Sequence, residues 1–416
     1  MNQLHRTHER RRAPLRPATP DDFLKASNLL FGLFHHSVDQ DAQDLDRQVW
    51  EADRTLLVTD GDEVVGHTFA AARDITVPGG VLPAGHITGV GVAPTHRRRG
   101  LLTRLMRRQL RDLHDAGREP LAVLWASEAR IYPRFGYGLA STRLELTIDT
   151  REVRLPEATA AGRLRVGAPA DLFPELSKVY DMVRQERPGW SSRDEGWWAQ
   201  VLADSPGRRD GATERRAVVH EGEGGVDGYA VWRTKGGWNH GGPNAEVHVS
   251  EIAATDPVAY AALWRFLLGI DLARTVTYGF AAVDDPLLYL ASDPRQLNTH
   301  FSDGLWLRVV DLPAALAARR YASDVDVVLE VSDPVLPENA GRWRVTGGPG
   351  GAACERVDTE PDLACDIADI GAAYLGGSSL AAMAAAGRVR ELRPGTLNAA
   401  STAFGWYRQP AAPEVF

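Results

Sequence analysis

The sequence predicts a mixed α/β protein built from two or three domains. Three observations lead there. The chain has 416 residues, more than one hydrophobic core usually serves. Its first part orders as strands, then one long amphipathic helix, then a buried strand, which is the pattern of a mixed sheet covered by helices. A second stretch repeats that order, and from about Phe301 the chain changes character.

Composition narrows the class. The chain is 44% hydrophobic and 25% charged, close to average globular usage. It has no run of about 18 apolar residues, so no membrane span is expected. Met1 to Pro17 is arginine-rich with no apolar stretch after it, which fits neither a secretory nor a twin-arginine signal, and a loose arm is expected. Cys354 and Cys365 are the two cysteines. They fit a reducing cytosol and argue against a disulfide scaffold or a cysteine metal site. No histidine pair has ligand spacing, so no metal is expected. The net charge of −8 disfavours a nucleic-acid binder and mildly favours cationic substrates.

Leu15 to Pro17 reads as a first strand. Thr19-Pro20-Asp21-Asp22 starts a helix, with a hydroxyl cap, proline in the first turn and acids at the positive end. Phe23, Ala26, Leu30, Leu33 and Phe34 fall near one face. Phe31, His35 and His36 lie off it, as surface or packing groups or as the lining of an acceptor pocket. Arg54 to Thr59, Glu63 to Arg73 and Gly85 to Val92 read as strands, with a hairpin turn at Asp60-Gly61.

Next comes Ile87 to Leu113. Val90-Gly91-Val92 ends a strand and Pro94 breaks it. Arg97-Arg98-Arg99-Gly100 opens a helix. Leu101, Leu102, Leu105, Met106, Leu110 and Leu113 form one apolar face at period 3.6. The turn offers unpaired backbone N–H groups at a positive helix start, Gly100 permits close approach, and arginines add charge. Such a turn suits a pyrophosphate. It equally suits an ordinary strand-helix unit with a solvated basic start. Pro120 to Ala126 follows as a buried strand. Ser127 to Gly138 is a turn-rich return, with Tyr132 and Tyr137 beside glycines, and Leu144 to Ile148 reads as the last strand of this sheet.

Arg151 to Arg165 is charged and aperiodic, and a domain boundary is expected there. Leu176 to Arg184 and Ser192 to Leu202 read as helices, Gly228 to Arg233 and Glu246 to Ala253 as strands. Thr255-Asp256-Pro257 caps a helix holding Leu263, Trp264 and Leu267. An acid therefore stands where the first copy has arginines and glycine. Trp190, Trp197 and Trp198 read as core, or one of them sits with Glu186 or Asp194 at the mouth of an amine pocket. Trp306 to Val310, Val325 to Val331 and Gly341 to Thr346 are expected strands. Ile367 to Leu375 and Ser379 to Gly387 are expected helices. The tail ends on an aromatic after Pro410 and Pro413, either frayed or anchored.

The run V-x-V, then R-x-x-G-x-L at a helix start, resembles motif A of the GNAT acyltransferases. V-A-P-T-H-R-R-R-G-L-L is similar to the Eis (enhanced intracellular survival) family of N-acetyltransferases. Y-x-x-F-G-Y, at Tyr132 to Tyr137, resembles the GNAT motif that follows the coenzyme helix. Asp366 to Gly377 resembles the sterol-carrier-type domain that closes Eis proteins.

The resemblance implies tandem GNAT-like domains followed by a sterol-carrier-protein-like domain. The expected spans are 1–155 for the acetyl-CoA-binding catalytic domain, 156–298 for a degenerate copy without coenzyme, and 299–416 for the domain ending in the catalytic C-terminus. It implies acetyl-CoA contacts at Val90, Gly91, Val92, Arg97, Arg98, Arg99, Gly100, Leu101, Leu102, Thr103, Ser127 and Glu128. It implies Tyr132 as the acid that protonates the departing thiolate, with Tyr137 in a packing position, and the α-carboxylate of Phe416 as the base. The expected activity is acetyl transfer from acetyl-CoA to amines of aminoglycoside-like or other polyamine substrates, in a cytoplasmic homo-oligomer, a hexamer by resemblance. Two other classes stay open: a protein lysine acetyltransferase, and a non-catalytic acyl-CoA or lipid-binding protein.

Overall fold

A computed structural model describes residues 13–157 and 162–416. Of the expected N-terminal arm, residues 1–12 lie outside the described residues. The chain divides into two compact units. One comprises Met1–Ala71 with Ile87–Asp112, the other Ala72–His86 with Leu113–Phe416.

In the first unit, β1 (Leu15–Pro17), β2 (Thr55–Asp60), β3 (Glu63–Val77) and β4 (Gly80–Val92) lie side by side in that order. β3 and β4 leave this unit and return to it, since Ala72–His86 belong to the second. Alternation along β2 and β3 gives the sheet two apolar faces. α1 (Phe23–Leu33) brings Ala26 onto Leu57 and Val64. On the other face α3 (Leu101–Ala116) sets Leu101 and Leu105 against Leu56, Val58 and Val65. The expected period of α3 holds, for Leu101, Leu105, Met106, Leu110 and Leu113 are all buried.

Two expectations for this region fail. α1 is rotated, with Phe34, expected on the apolar face, exposed and Phe31, expected off it, buried; of the readings left open for Phe31, burial fits packing. A further helix, α2 (Gln40–Val49), follows α1 where no element was expected. Asp39 caps it by accepting from the Ala42 amide at 3.2 Å. Its sequence QDAQDLDRQV is too polar to show an apolar stripe.

In the second unit, β5 (Leu121–Trp125) pairs with β16 (Leu305–Val309), which pairs in turn with β6 (Gly138–Leu139). The middle sheet runs β15-β7-β14-β13-β10-β9-β8. Its members are β7 (Thr142–Asp149), β8 (Arg163–Gly167), β9 (Arg216–Gly222), β10 (Gly225–Lys235), β13 (Ala245–Ala254), β14 (Ala273–Ala282) and β15 (His300–Asp303), with a small hairpin of β11 (Trp238–Asn239) and β12 (Gly242–Pro243) beside it. β13 and β14 are parallel and joined through α6 (Pro257–Leu268), the crossover that parallel strands require. Helices line both faces of this sheet as well. Leu263, Trp264 and Leu267 of α6 pack on Val247 and Val276. On the other face, Leu176 and Tyr180 of α4 (Phe173–Arg184) and Trp198 of α5 (Glu195–Leu202) pack on Val219 and Tyr229.

The last region has the sheet β19-β18-β17-β20-β21, formed by β17 (Val325–Ser332), β18 (Gly341–Gly348), β19 (Gly351–Arg356), β20 (Leu363–Asp366) and β21 (Arg390–Glu391). Beside it are α8 (Leu312–Ala318), α9 (Ile367–Ala373), α10 (Leu380–Ala385) and α11 (Thr396–Phe404), and the short α7 (Leu287–Leu290) precedes it. Ile367 and Tyr374 share one core with Leu121 and Val123 of β5 and Leu307 of β16.

Two strands therefore sit apart from their expected sheets. β7, read as the last strand of the first sheet, lies between β14 and β15. β16, read as part of the C-terminal region, lies between β5 and β6. Among the described residues no helix is long and apolar enough to cross a membrane.

Candidate active site

The expected coenzyme residues of the first unit surround the end of β4. Gly89 has φ +61°, and a Cβ there would meet the His67 ring at 2.9 Å and Leu30 at 3.1 Å. Only glycine takes that conformation and that approach without strain. His67 Nδ1 lies 2.6 Å from the Gly89 carbonyl. Burial pushes the imidazole down to about 4, against the raising effect of that bond. His67 is thus neutral near pH 7, and Nδ1–H donates to Gly89 O. The link pins β4 just ahead of Val90, Gly91 and Val92. Those three residues are half-buried, and Ala93 N–H returns to Val65 O at 2.8 Å.

The turn follows. His96 Nε2 lies 3.0 Å from Asp60, and Arg99 donates to Thr95 O at 2.9 Å. Arg98 and Gly100 both have positive φ, +61° and +75°. Arg97, Arg98, Arg99 and Gly100 are exposed. Nothing lies within 4 Å of where a Gly100 Cβ would stand. Gly100 O already accepts from Arg104 N at 3.1 Å, so the turn runs directly into α3. Leu101 is buried, and Leu102 and Thr103 are half-buried. The turn presents exposed guanidinium groups and a bare glycine at a helix N-terminus, which is chemistry for an anion.

Ser127 and Glu128 belong to the second unit and are exposed just after β5. Tyr132 follows, 6% exposed, at the head of the short turn Pro133–Phe135. Burial, then Glu128, raises its phenol to about 12, so its proton is held at neutral pH. The Tyr137 ring stands 5.8 Å away, edge-on. Tyr137 is fully buried, and burial raises its phenol further. Its hydroxyl has no hydrogen-bond partner among the described residues. The two tyrosines differ in access, and Tyr132 is the one closer to the surface.

The tail is seated, not frayed. Pro410 to Glu414 are buried. Gln409 N–H donates to Asp284 at 2.9 Å, and Arg187 donates to Gln409 O at 2.9 Å. Ala411 N–H donates to Pro188 O at 2.9 Å. A Cβ on Gly189, at φ +95°, would meet Ala411 O at 2.4 Å. The strap of residues 187–193 lies in turn along the end of β3, with Gly189 N–H on Thr76 O at 2.8 Å and Ser192 N–H on Asp74 O at 2.8 Å. Glu414 accepts from Arg73 at 2.6 Å and from Arg193 Nε at 2.7 Å. The ring of Phe416 packs edge-on against His86 at 4.7 Å. His86 Nε2 meets Ser191 Oγ at 2.7 Å.

Several residues expected near an amine take other roles. Asp194 caps α5 by accepting from Trp197 N–H at 2.9 Å. Glu186 pairs with Arg408 at 3.0 Å. Trp197 lies under the Arg73 guanidinium at 4.2 Å. The sequence reading missed Arg73, His86, Arg193, Glu251 and Glu414 altogether. The only local signal was an acid two positions before the last residue. In the middle region Asp256 accepts from Val258 N–H at 2.7 Å and Ala259 N–H at 3.0 Å, so a carboxylate already occupies the helix start that matches the arginine-glycine turn. Among the described residues no group of histidine, cysteine and acidic side chains has the arrangement to hold a metal.

Residues 14–140 match the family described as acetyltransferase (GNAT) domain, and residues 189–309 match a second family of that description. Residues 312–413 match the sterol carrier protein domain. GNAT domains use acetyl-CoA as co-substrate. An N-acetyltransferase of Streptomyces avermitilis is 47% identical over 89% of this chain and 92% of its own length. N-acetyltransferase Eis of Mycobacterium tuberculosis is 37% identical over 81% of this chain and 85% of its own length. The crystal structure of Eis1 from Mycobacterium abscessus superimposes with a TM-score of 0.84 at 31% identity, covering 97% of this chain and all (100%) of that one.

Proposed function

The chain belongs to the Eis group of GNAT N-acetyltransferases, and on that premise we propose that it acetylates primary amines of aminoglycoside-like or other polyamine substrates, at one position or several, by direct transfer in a ternary complex. Residues 1–155 take acetyl-CoA, 156–298 form a copy without coenzyme, and 299–416 deliver the C-terminus. The net charge of −8 suits a cationic acceptor.

An alkyl ammonium, with a pKa of about 10, must lose a proton before it attacks. The Phe416 α-carboxylate takes that proton, directly or through a water. The amine nitrogen then bonds to the thioester carbon. Charge develops on the carbonyl oxygen, and the Val92 N–H donates to it. The C–S bond breaks and the thiolate leaves. A phenol near 12 is a weaker acid than a thiol near ~8.5. Tyr132 therefore acts first as a hydrogen-bond donor to the developing thiolate, and its proton passes to sulfur only as the second proton of the attacking nitrogen replaces it, so that a neutral amide, a thiol and a neutral phenol result. The exposed turn Arg97 to Thr103 holds the pyrophosphate, with Ser127 and Glu128 on the coenzyme arm.

The observation that carries this reading is the seated tail, because a C-terminal carboxylate acts as a base only where its place is fixed. Mass spectrometry of a polyamine panel, run beside a lysine peptide and acetyl-CoA, tests it. Acetylated aminoglycosides or polyamines are expected. Acetylation of the peptide alone, or of nothing, overturns it. The protein is further read as a cytoplasmic homo-oligomer, a hexamer by resemblance, which analytical ultracentrifugation checks.

A further inference from the structure

We propose that Glu414 is a positioning residue for this transfer: through a buried cluster with Arg73, Arg193 and Glu251 it fixes the end of the tail, and with it the Phe416 carboxylate. The inference rests on the reading of that carboxylate as the base.

The cluster joins three distant parts of the second unit. Arg73 comes from β3, Arg193 from the strap before α5 and Glu251 from β13. Arg193 is bidentate on Glu251, at 3.1 Å and 2.5 Å, and Tyr229 donates its hydroxyl to the same carboxylate. The Arg193 guanidinium also lies over the Tyr180 ring at 3.9 Å and the Trp198 ring at 4.6 Å. Arg73 donates through Nε to Ser192 O at 2.8 Å. Both arginine planes are therefore set before the tail arrives. The Arg73 and Arg193 side chains are 2% and 0% exposed, those of Glu251 and Glu414 4% and 9%. Without Glu414, two buried guanidinium groups would face one carboxylate. With it, the cluster holds two positive and two negative groups.

A buried ion pair is weak evidence for stability, because desolvation consumes most of the attraction. Its better-attested use is to fix register, and the geometry here is of that kind. Glu414 is held on two sides by different elements, which allows one position along the tail. Two residues further on, at ~3.3 Å per residue, the carboxylate lies within about 7 Å of that fixed point. If the clip is lost, the backbone bond from Ala411 to Pro188 still holds the tail. From there five residues lead to the carboxylate, an extended span of at most about 16 Å. Val415 is 60% exposed and adds little restraint. The Phe416 ring keeps its edge contact with His86 and lies 5.9 Å from the Arg73 guanidinium, which Glu414 itself holds.

The test uses the full chain and two readouts. Carboxypeptidase A releases a C-terminal phenylalanine when the tail can leave its seat, and mass spectrometry follows the loss of Phe416. In Glu414→Gln, release is expected to speed up at least tenfold. Turnover is expected to fall at least tenfold, with KM for acetyl-CoA unchanged. Glu414→Asp keeps the charge one carbon short and is expected to fall between wild type and Glu414→Gln in both. Because Glu414 is two residues from the end, the variants are expected to melt in one cooperative transition, at a lower Tm than wild type. If Glu414→Gln does not fold, Arg73→Lys provides the same two readouts. Unchanged Phe416 release overturns the anchor and the proposal with it. Faster release with unchanged turnover also overturns the positioning role. That outcome places the fault in the reading of the carboxylate as base and leaves the anchor standing.

Discussion

His67 is the residue whose chemistry can be worked furthest from its surroundings. It is buried on β3, with an ordinary imidazole value of 6.5 pushed down to about 4. The sign follows from linkage. The unfolded chain takes up a proton near 6.5, and the folded chain resists until about 4. The stabilising contribution is therefore complete above pH 6.5 and is lost as pH falls towards 4. At ~1.4 kcal/mol per pH unit, the full loss is about 3 kcal/mol. Carboxylates also titrate in this window, so the comparison must be with a variant. Glutamine at 67 keeps an N–H for the Gly89 carbonyl but has nothing to titrate. Denaturant unfolding of wild type and His67→Gln at pH 7 and pH 4 should show wild type losing about 3 kcal/mol more. His67→Leu removes the bond itself, about 1 kcal/mol. It should weaken acetyl-CoA about fivefold at pH 7, because β4 is no longer pinned ahead of Val90 to Val92. Parallel stability losses in wild type and His67→Gln would refute the argument that His67 is held neutral by burial.

Gly100→Asp should weaken acetyl-CoA at least tenfold by calorimetry, about 1.4 kcal/mol. It puts a carboxylate beside the pyrophosphate and a side chain at φ +75°. Unchanged affinity in the folded variant would remove the turn from the coenzyme site. The same calorimetry should give one acetyl-CoA per chain, because Asp256 already caps the helix start of the middle copy, and two would contradict that. Tyr132→Phe should cost about 10²-fold in turnover with little change in acetyl-CoA binding. If Tyr137→Phe instead abolishes turnover, the acid has been assigned to the wrong tyrosine. Appending two or three residues after Phe416 should nearly abolish turnover, because each moves the carboxylate by ~3.3 Å, while Phe416→Ala should keep part of it. Full turnover in the extended enzyme would place the base elsewhere.

What was legible in the sequence was local. The apolar face of α3, the arginine-glycine turn and the Asp256-Pro257 cap each lie within one or two helical turns, where spacing alone fixes the geometry. Strand alternation was legible too, but it states only that a strand has two faces. It does not say which sheet the strand joins. β7 and β16 read correctly as strands and were placed with their chain neighbours. Their true partners, Thr275 to Ala282 for β7 and Leu121 to Trp125 for β16, lie more than a hundred residues away along the chain. Phe31 was read off the apolar face because α1 was judged as an isolated cylinder. In the fold its burial is decided by what packs around it.

The acid-base half of the site separates in the same way. The proposed acid, Tyr132, comes from the resemblance of its motif, and the proposed base, the Phe416 carboxylate, from the resemblance to Eis proteins. Neither signal carries the placement of the carboxylate. In the proposal above, that placement depends on Arg73 and Glu414, 341 residues apart, and on Arg193 and Glu251, 58 apart. No periodicity spans such distances, and an arginine on a strand or in a strap reads as a solvated surface group. The buried state of these charges is itself a product of the fold, since each is tolerable only when the others are present. A catalytic group without a side chain of its own must borrow its orientation from neighbours. Here those neighbours are an acid two positions earlier and two arginines from different elements, so the proposed base takes its place from the tertiary structure and its identity from the resemblance.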